Sequence, residues 1–402
     1  MPMATEPRQA RRAFLRGLGV HAVAVVSAGW HSGAAAQPAQ ATALRAETTW
    51  LAACWDDTQG QHRAGWLRLD GPSDRPRVRV HRSVVLPTRG HGLALLPDGG
   101  LLVAARRPGD WLVRLSPTQP PLWVWMEPGR ALSGHVLVGP DGRTVFTTEI
   151  DTDTGQGLLG VRDVHRLNKT QEFETKGLDP HAVIACPASN FELKDQLFVA
   201  NGGVDTAVET GRVKRHLDRM DSSVACLHPV TGELLGQWRL PDQRLSLRHL
   251  AWAASPEGLP VLGVALQAEH DDPAQKAAAP LLAVLDWREQ PQGALRLATG
   301  QPALAGYGGD VAVMRPSETS AVAAVGAQFV VSATRGHQLA RYGLDGHYQG
   351  STAWTEAGAL TQGAAVWAGG QRGALPQALE DRVTGPGAVF EQGRIDNHWL
   401  LV

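Results

Sequence analysis

The 402-residue sequence has few of the features that mark common enzyme classes. It contains three cysteines, an odd number that excludes a fully paired disulfide framework, and it has no Cys-x-x-Cys metal or redox motif. It also lacks a G-x-S-x-G nucleophile elbow, a His-Glu-x-x-His zinc motif and a Walker phosphate loop. These absences leave phosphate-binding and hydride-transfer chemistry without support in the sequence.

The cysteines themselves allow two interpretations. Cys186 and Cys226 could form a disulfide if the compartment is oxidising. We favour the other interpretation, in which these two residues and Cys54 are small buried apolar side chains.

Charge and long apolar runs are also scarce. The net charge is −1, so the protein has no overall field that would attract nucleic acid or an anionic membrane. No helical periodicity is sustained, and no run beyond the N-terminal segment approaches the length of a membrane span. What is abundant is Gly (45) and Pro (26), spread along the chain, which indicates many short strands joined by turns.

The first 36 residues have the pattern of an export signal. Residues 9–16 read QARRAFLR, residues 17–30 form a short, weakly apolar stretch, and an Ala-x-Ala cleavage site precedes Gln37. The pair Arg11-Arg12 resembles the twin-arginine export signal. We therefore predict a signal peptide over 1–36 and a mature periplasmic protein over 37–402. The alternative, an uncleaved anchor, requires a longer apolar run than the sequence has.

A repeated unit organises the rest of the chain. Each copy has a small residue, a histidine, an apolar strand, a turn and a second strand, as in RGHGLALLPDGGLLVAARR (89–107) and SGHVLVGPDGRTVFTTE (133–149). Further copies begin at 179 and 247, and GGDVAV (308–313) places Asp310 near the histidine position. Successive histidines His91, His135 and His181 are 44 and 46 positions apart. A period of about 45 residues with four short strands per unit is typical of a β-propeller.

We accordingly predict one all-β domain, a seven-bladed β-propeller of the WD/YVTN-repeat type. Residues 50–86 read as a first unit without the histidine of the repeat, and IDNHWLLV (395–402) reads as a closing strand. A β-sandwich, which also needs many short strands, remains the alternative, because regular recurrence is the main observation that favours a propeller.

The repeat predicts a ring of histidines. The inner strands of a propeller surround one axis, so residues that recur at the start of those strands converge there. Neutral imidazoles are ligands for iron, copper or zinc. The sequence thus predicts a metal or ligand site at the convergent histidines, with oxygen donors from Asp310 and Gln362, or else a structural role in which each histidine tethers its blade. The four histidines are His91, His135, His181 and His249.

Three other groups of polar residues are candidate ligand-binding residues. Alternating acids at Glu149, Asp151 and Asp153 could bind a cation, or they could form a polar turn or a network between blades. The pair Arg106 and Arg107 follows the second strand of the first copy. The insertion 201–223 carries a set of basic residues that could meet an anionic ligand or a partner, or be solvated: Arg212, Lys214, Arg215 and Arg219.

Stretches over most of the chain resemble one known family. They are RGHG (89–92), ARRPG (105–109), residues 134–163, DPHAV (179–183), VANGG with TGR (199–212), LRHLAW (247–252), GYGGDVAV (306–313) and DNH (396–398). The family is a bacterial domain-of-unknown-function family of twin-arginine-exported propellers, which tends to be encoded beside imelysin-like, iron-regulated periplasmic proteins. The resemblance implies a fold, a compartment and an association with iron acquisition, and it supplies no catalytic residues.

These observations lead to one hypothesis and two alternatives. The hypothesis is a periplasmic, non-enzymatic accessory factor in iron or other metal acquisition, which binds a transition metal or docks with an imelysin-like partner at its histidine-lined face. One alternative is an enzyme, such as a hydrolase, lyase or oxidoreductase, that uses a metal held by the same ring. The other is a pure interaction scaffold in which the histidines are structural.

Overall fold

The computed structural model describes residues 49–70, 77–187, 191–206, 213–288, 290–315, 326–362, 366–370, 373–377 and 388–402. In these ranges the chain forms strands β1 to β30, one short helix α1 (Pro273–Ala278) and two 3-10 turns, Leu217–Arg219 and Thr334–Gly336. The predicted signal peptide, 1–36, lies outside them. Among the described residues, no helix combines the length and the apolarity needed to cross a bilayer.

The strands follow one another as antiparallel meanders around an axis. The first three strands are β1 (Thr49–Asp57), β2 (His62–Asp70) and β3 (Arg77–Val85). The next two sheets contain β4 (Gly90–Leu95), β5 (Leu101–Ala105), β6 (Trp111–Leu115) and β7 (Leu122–Trp125), then β8 (Arg130–Val138), β9 (Thr144–Asp151), β10 (Gln156–Asp163) and β11 (Lys169–Leu178).

The third sheet is interrupted by a hairpin. Its strands are β12 (Pro180–Ala185), β13 (Leu197–Asn201), β16 (Ser223–Leu227) and β17 (Leu234–Trp238), and the separate hairpin is β14 (Asp205–Thr206) with β15 (Lys214–Arg215). Two regular sheets follow: β18 (Leu245–Ala254), β19 (Pro260–Ala268), β20 (Leu282–Asp286) and β21 (Ala294–Leu297), then β22 (Gly308–Met314), β23 (Gln328–Ala333), β24 (Gln338–Gly343) and β25 (Tyr348–Ala353).

The remaining strands correct the predicted number of blades. They are β26 (Leu360–Gln362), β27 (Val366–Gly370), β28 (Gly373–Gln377), β29 (Ala388–Val389) and β30 (Gly393–Leu401). Strand β30 pairs with β1, as predicted for a closing strand, and β29 pairs with β3 at Val389 and Arg77. These pairings produce one eight-stranded sheet, in the order β26-β27-β28-β29-β3-β2-β1-β30. The described chain is therefore a six-bladed propeller, and the prediction of seven blades is wrong.

The physical reason for that error lies in how strands pair. The sequence repeat reports inner strands, and seven of them do surround the axis: β4, β8, β12, β18, β22, β26 and β30. A blade is defined by hydrogen-bonded pairing, which in the last repeat continues from the two-residue strand β29 to the outer strand β3. Two inner strands consequently belong to one sheet.

The turns of the repeat and the burial of the cysteines agree with the sequence analysis. Gly99 and Gly142 end the two Pro-Asp-Gly turns with φ of +76° and +64°, values that favour glycine. Large aromatic side chains fill the space between sheets, where Trp111 is fully buried and Phe198 contacts three tryptophans. All three cysteines are buried.

Candidate metal centre

Six inner strands share an irregularity at the same level of the propeller. In β4 the pairing register shifts between Gly90 and Gly92, and in β12 it shifts between Pro180 and Val183. Strands β8, β18, β22 and β30 have equivalent shifts. A bulge of this kind takes a residue out of the ladder and re-aims its side chain. Each irregular segment contains one of six residues: His91, His135, His181, His249, Asp310 and His398.

Five imidazoles converge at the axis, and we call them the histidine cluster: His91, His135, His181, His249 and His398. His135 is central, since its ring centroid lies between 4.6 and 5.1 Å from each of the other four. The other rings form an open arc around it, with neighbouring centroids 4.4 to 4.7 Å apart. The arc is open between His91 and His181, whose centroids are 6.3 Å apart.

The nitrogen atoms are close enough to share an ion. Nε2 of His181 and Nε2 of His249 are 3.2 Å apart. Two imidazole nitrogens bound to one ion at about 2.0–2.1 Å are themselves separated by about 2.9–3.4 Å, depending on the coordination angle. Ligand atoms lie within 4.8 Å of one another in two groups that share His135: His91, His135 and His181, and His135, His249 and His398.

The imidazoles are held in the form that binds metals. Burial, followed by the neighbouring His398, lowers the pKa of His91 to about 3. Burial and the other rings also lower the pKa of His135, His181 and His249 well below the usual value. These four side chains are therefore uncharged at neutral pH, and each has a nitrogen lone pair available.

Three buried nitrogens of the histidine cluster lack a hydrogen-bond partner among the described residues. They are Nδ1 of His91, Nε2 of His135 and Nδ1 of His181. An unpaired buried polar group costs about 1–3 kcal/mol, so native structures rarely leave such atoms unsatisfied. An ion bound at the cluster could satisfy Nε2 of His135, whereas Nδ1 of His91 faces Asp396 and Nδ1 of His181 belongs to a ring whose Nε2 faces His249.

Two carboxylates lie behind the imidazoles. The oxygens of Asp310 are 3.6 Å from Nδ1 of His249 and 3.6 Å from Nδ1 of His398, and backbone N–H groups of Val311 and Leu360 donate to the same carboxylate. Carboxylates beside Nδ1 orient a ring and favour metal binding through Nε2. Asp310 is thus placed to support two ligands rather than to be a ligand itself.

Asp396 has the same relation to His91, with 3.9 Å between its carboxylate and Nδ1. Arg89 donates two hydrogen bonds to this carboxylate, at 2.9 and 2.8 Å. Burial alone would raise the pKa of Asp396, but His91 and Arg89 outweigh it and hold the pKa well below its usual range. Asp396 is therefore ionised at neutral pH.

One side of the cluster opens on a small cavity of about 30 Å³, which we call the chamber. Four of the five histidines line it, all except His135, together with Arg106, Arg107, Gln267, Tyr307, Gly309 and Asn397. Arg107 forms an ion pair with the buried Asp179, and Nη1 of Arg248 donates to the same carboxylate at 2.7 Å. The predicted pair Arg106 and Arg107 therefore reaches the histidine site.

The other side of the cluster opens on the central channel. The channel has a volume of about 710 Å³ and is lined by residues of all seven inner strands, most of them apolar. His135 lines the channel and not the chamber. The histidine cluster thus separates the two spaces.

The predicted acids of blade β8–β11 lie elsewhere. Glu149 is fully buried and pairs with Arg162 at 2.9 Å and Lys169 at 2.7 Å. Asp151 pairs with Arg130 at 2.8 Å, and Asp153 is exposed. These ion pairs lie within one blade and occupy the carboxylates of Glu149 and Asp151. Asp151 also accepts hydrogen bonds from the backbone N–H groups of Asp153 and Thr154 in a polar turn.

Of the other candidates, Arg212 lies outside the described residues. Gln362 belongs to β26, but its side chain is not among those described. Lys214 forms an ion pair with Glu269, and Arg215 and Arg219 are exposed.

Sequence reasoning missed His398, Asp396, Asp179 and Arg248. His398 lies in the closing strand, which no turn and second strand follow, so it was not grouped with the other histidines. A signal was present, because Asp179-Pro-His181 and Asp396-Asn-His398 share the pattern Asp-x-His, and both acids are buried beside the site.

Comparisons with known proteins identify a family and a fold. Residues 84–402 match the family described as "Protein of unknown function (DUF1513)". No curated protein matches the chain. Among solved structures, the chain is similar to the Kuenenia stuttgartiensis hydrazine synthase, at 12% identity and a TM-score of 0.55, over 86% of this chain and 100% of that one.

Two further structures match less closely. Dihydro-heme d1 dehydrogenase NirN in complex with DHE matches at 14% identity and a TM-score of 0.47, over 85% of this chain and 64% of that one. A protein of unknown function from Bacteroides caccae matches at 9% identity and a TM-score of 0.44, over 89% and 99%. At such identities, the similarity to the hydrazine synthase shows the propeller fold alone.

Proposed function

The chain belongs to the DUF1513 family, and we propose that it binds a divalent transition-metal ion at the histidine cluster. The observation that carries this proposal is the convergence of five imidazoles, whose central ring, His135, has a buried Nε2 without a partner among the described residues. A purely structural cluster would satisfy this nitrogen by a hydrogen bond to a blade. A bound ion would satisfy it instead.

The donor set favours particular metals. Imidazole nitrogen suits copper, zinc, iron and nickel, whereas calcium and magnesium prefer oxygen ligands. The imidazole donors are neutral, and the carboxylates nearest to a bound ion are those of Asp310 and Asp396 behind them. For an all-nitrogen site, the general order of affinities places copper above zinc and both above iron.

In the cell, we propose that this site serves iron or other metal acquisition without catalysing a reaction. Residues 9–16, with the pair Arg11-Arg12, support export through the twin-arginine pathway to the periplasm. The family resemblance supports an imelysin-like partner that is encoded nearby. The chamber, which four of the five histidines line, is the face through which the ion would be exchanged.

The test is metal analysis of the protein purified after export, followed by titration of the stripped protein with Cu²⁺, Zn²⁺ and Fe²⁺. His135→Ala removes the imidazole common to both ligand groups, so we expect affinity to fall at least 100-fold. His165→Ala is the matched control, because His165 is exposed on a turn and lies outside the cluster. The proposal is wrong if the wild-type protein binds none of the three ions, or if His135→Ala binds them as tightly as His165→Ala does.

A further inference from the structure

The charged groups around the chamber offset one another before an ion binds. Four guanidiniums line it or pair with acids beside it: Arg89, Arg106, Arg107 and Arg248. Three carboxylates, Asp179, Asp310 and Asp396, face them or the histidine cluster, and a fourth, Asp56, lies near Arg89. A bound divalent ion would therefore add two positive charges that none of these carboxylates offsets.

Arg106 is the guanidinium least committed to a carboxylate. Its nearest approach to Asp396 is 3.9 Å, longer than a hydrogen bond, and that carboxylate already accepts two hydrogen bonds from Arg89. By contrast, Arg107 is paired directly with Asp179. The side chain of Arg106 is 18% exposed, so it is largely withdrawn from water while it lines the chamber.

The histidine cluster also leaves a position open towards the same wall. His91 and His181 both line the chamber, and the gap in the arc of rings lies between them. Gly134, with φ of +105°, keeps that region narrow but free of a side chain: a Cβ there would lie 3.0 Å from Cδ2 of His91 and 3.6 Å from the backbone nitrogen of Arg107. An ion bound by the cluster would therefore have a coordination position that faces the arginines.

The size of the chamber limits what can occupy that position. A cavity needs about 10–15 Å³ to hold one water-sized group, so about 30 Å³ accommodates two or three such groups. Tetrahedral phosphate and organic polycarboxylates are too large for this space. An anion of two or three heavy atoms fits.

We propose that the chamber binds a small monovalent anion, of two or three heavy atoms, which Arg106 holds in contact with the metal ion as its additional ligand. The inference rests on the proposed metal site and defines how its coordination is completed. The anion offsets the excess positive charge, and the guanidinium donates hydrogen bonds to it in the planar geometry that arginine provides.

The experiment uses Cu²⁺-loaded protein and azide as the probe anion, with the azide-to-copper charge-transfer band and the copper EPR spectrum as readouts. We expect saturable binding of azide to the wild-type protein and no spectral change with phosphate. Arg106→Gln should raise the azide Kd at least 10-fold when binding is referred to the copper-loaded fraction. Arg106→Lys keeps the charge without the planar donor pair, and should give an intermediate Kd.

Arg166→Gln is the control, because Arg166 lies on an exposed turn away from the chamber. If copper binds but azide leaves both spectra unchanged, or if the azide Kd is the same in Arg106→Gln and Arg166→Gln, the anion site is refuted while the metal site stands. If copper does not bind to the wild-type protein, the proposed metal site is refuted, and the anion site with it. Equal binding of phosphate and azide would overturn the size limit set by the chamber.

Discussion

Nε2 of His181 and Nε2 of His249 approach to 3.2 Å although 68 residues separate them in the sequence. Both rings are uncharged, so without an ion one nitrogen must donate its proton to the other. An ion changes this relation, because both nitrogens then offer lone pairs to the same centre. Removal of either ring should therefore affect the metal-bound protein more than the metal-free one.

The first prediction concerns thermal stability. At an ion concentration 100 times the Kd, binding stabilises the wild-type protein by about 2.7 kcal/mol, which raises its Tm. In His181→Ala we expect that rise to be lost, since one imidazole and its partner contact are gone. Differential scanning fluorimetry with and without Zn²⁺ measures the shift, and His165→Ala should retain it. An equal rise in His181→Ala would exclude this ring as a ligand.

The second prediction is a pH dependence of the metal-free protein. The pKa of His91 is about 3 when folded and near 6.5 when unfolded, so below pH 6.5 the unfolded chain binds more protons. The stability that this residue contributes is present above pH 6.5 and is lost as the pH falls towards 3. Between pH 7 and pH 5 the loss from His91 alone is about 2 kcal/mol.

Urea unfolding in the presence of a chelator, at pH 7 and pH 5, measures this loss. His91→Gln cannot titrate in this range, so its unfolding free energy should fall less than that of the wild-type protein over the same interval. The same pH dependence in both proteins would show that His91 is not held in its neutral form by burial.

The third prediction concerns the ion pairs behind the chamber. Asp179 is 2% exposed and accepts hydrogen bonds from both Arg107 and Arg248. Asp179→Asn keeps the shape and suits the positive φ of +52°, but it leaves two buried guanidiniums without their countercharge. We expect a loss of about 3–5 kcal/mol in the free energy of unfolding. The exposed Asp153→Asn should change it by less than about 0.5 kcal/mol.

The fourth prediction compares two Gly→Ala substitutions, one beside the histidine cluster and one away from it, to separate the effect of backbone strain from that of contact with His91. Gly134→Ala places a methyl group 3.0 Å from His91 at a φ that disfavours side chains, so it should displace the ring. Gly129→Ala has a similarly positive φ of +77° but nothing within 4 Å of the new methyl group. Both variants should lose about 1 kcal/mol of stability from strain, and Gly134→Ala alone should lose metal affinity. Isothermal titration calorimetry measures the metal affinity of both variants. Equal affinities would contradict the proposed displacement of His91.

Four of the five cluster histidines could be predicted because they share a local pattern. Each precedes an apolar inner strand and a turn, and inner strands of any propeller converge on its axis. His398 has the same position at the axis without the turn that follows the others, so a local pattern did not find it. The ion pairs of Asp179 with Arg107 and Arg248 span 72 and 69 residues, and a single sequence carries no direct record of such contacts.

The number of blades was wrong for a related reason. Strands β29 and β3 pair at Val389 and Arg77, which lie in the last and the first units of the chain. The sequence period carries no information about this pairing. The central place of His135 also depends on tertiary detail, namely a register shift that extends from Leu132 to Val136. The convergence of the histidines on the axis could be predicted, but the arrangement of their rings around His135 could not.

Closure of the ring by β30 on β1 has a consequence for assembly. Arg89 and Asp396 are 307 residues apart in sequence, yet their contact and the arrival of His398 both depend on this last pairing. Contacts of such high sequence separation carry a large loop-closure entropy and slow folding. The five imidazoles are together only when β30 is paired with β1, and an ion bound to them would link β30 to the inner strands of the earlier blades.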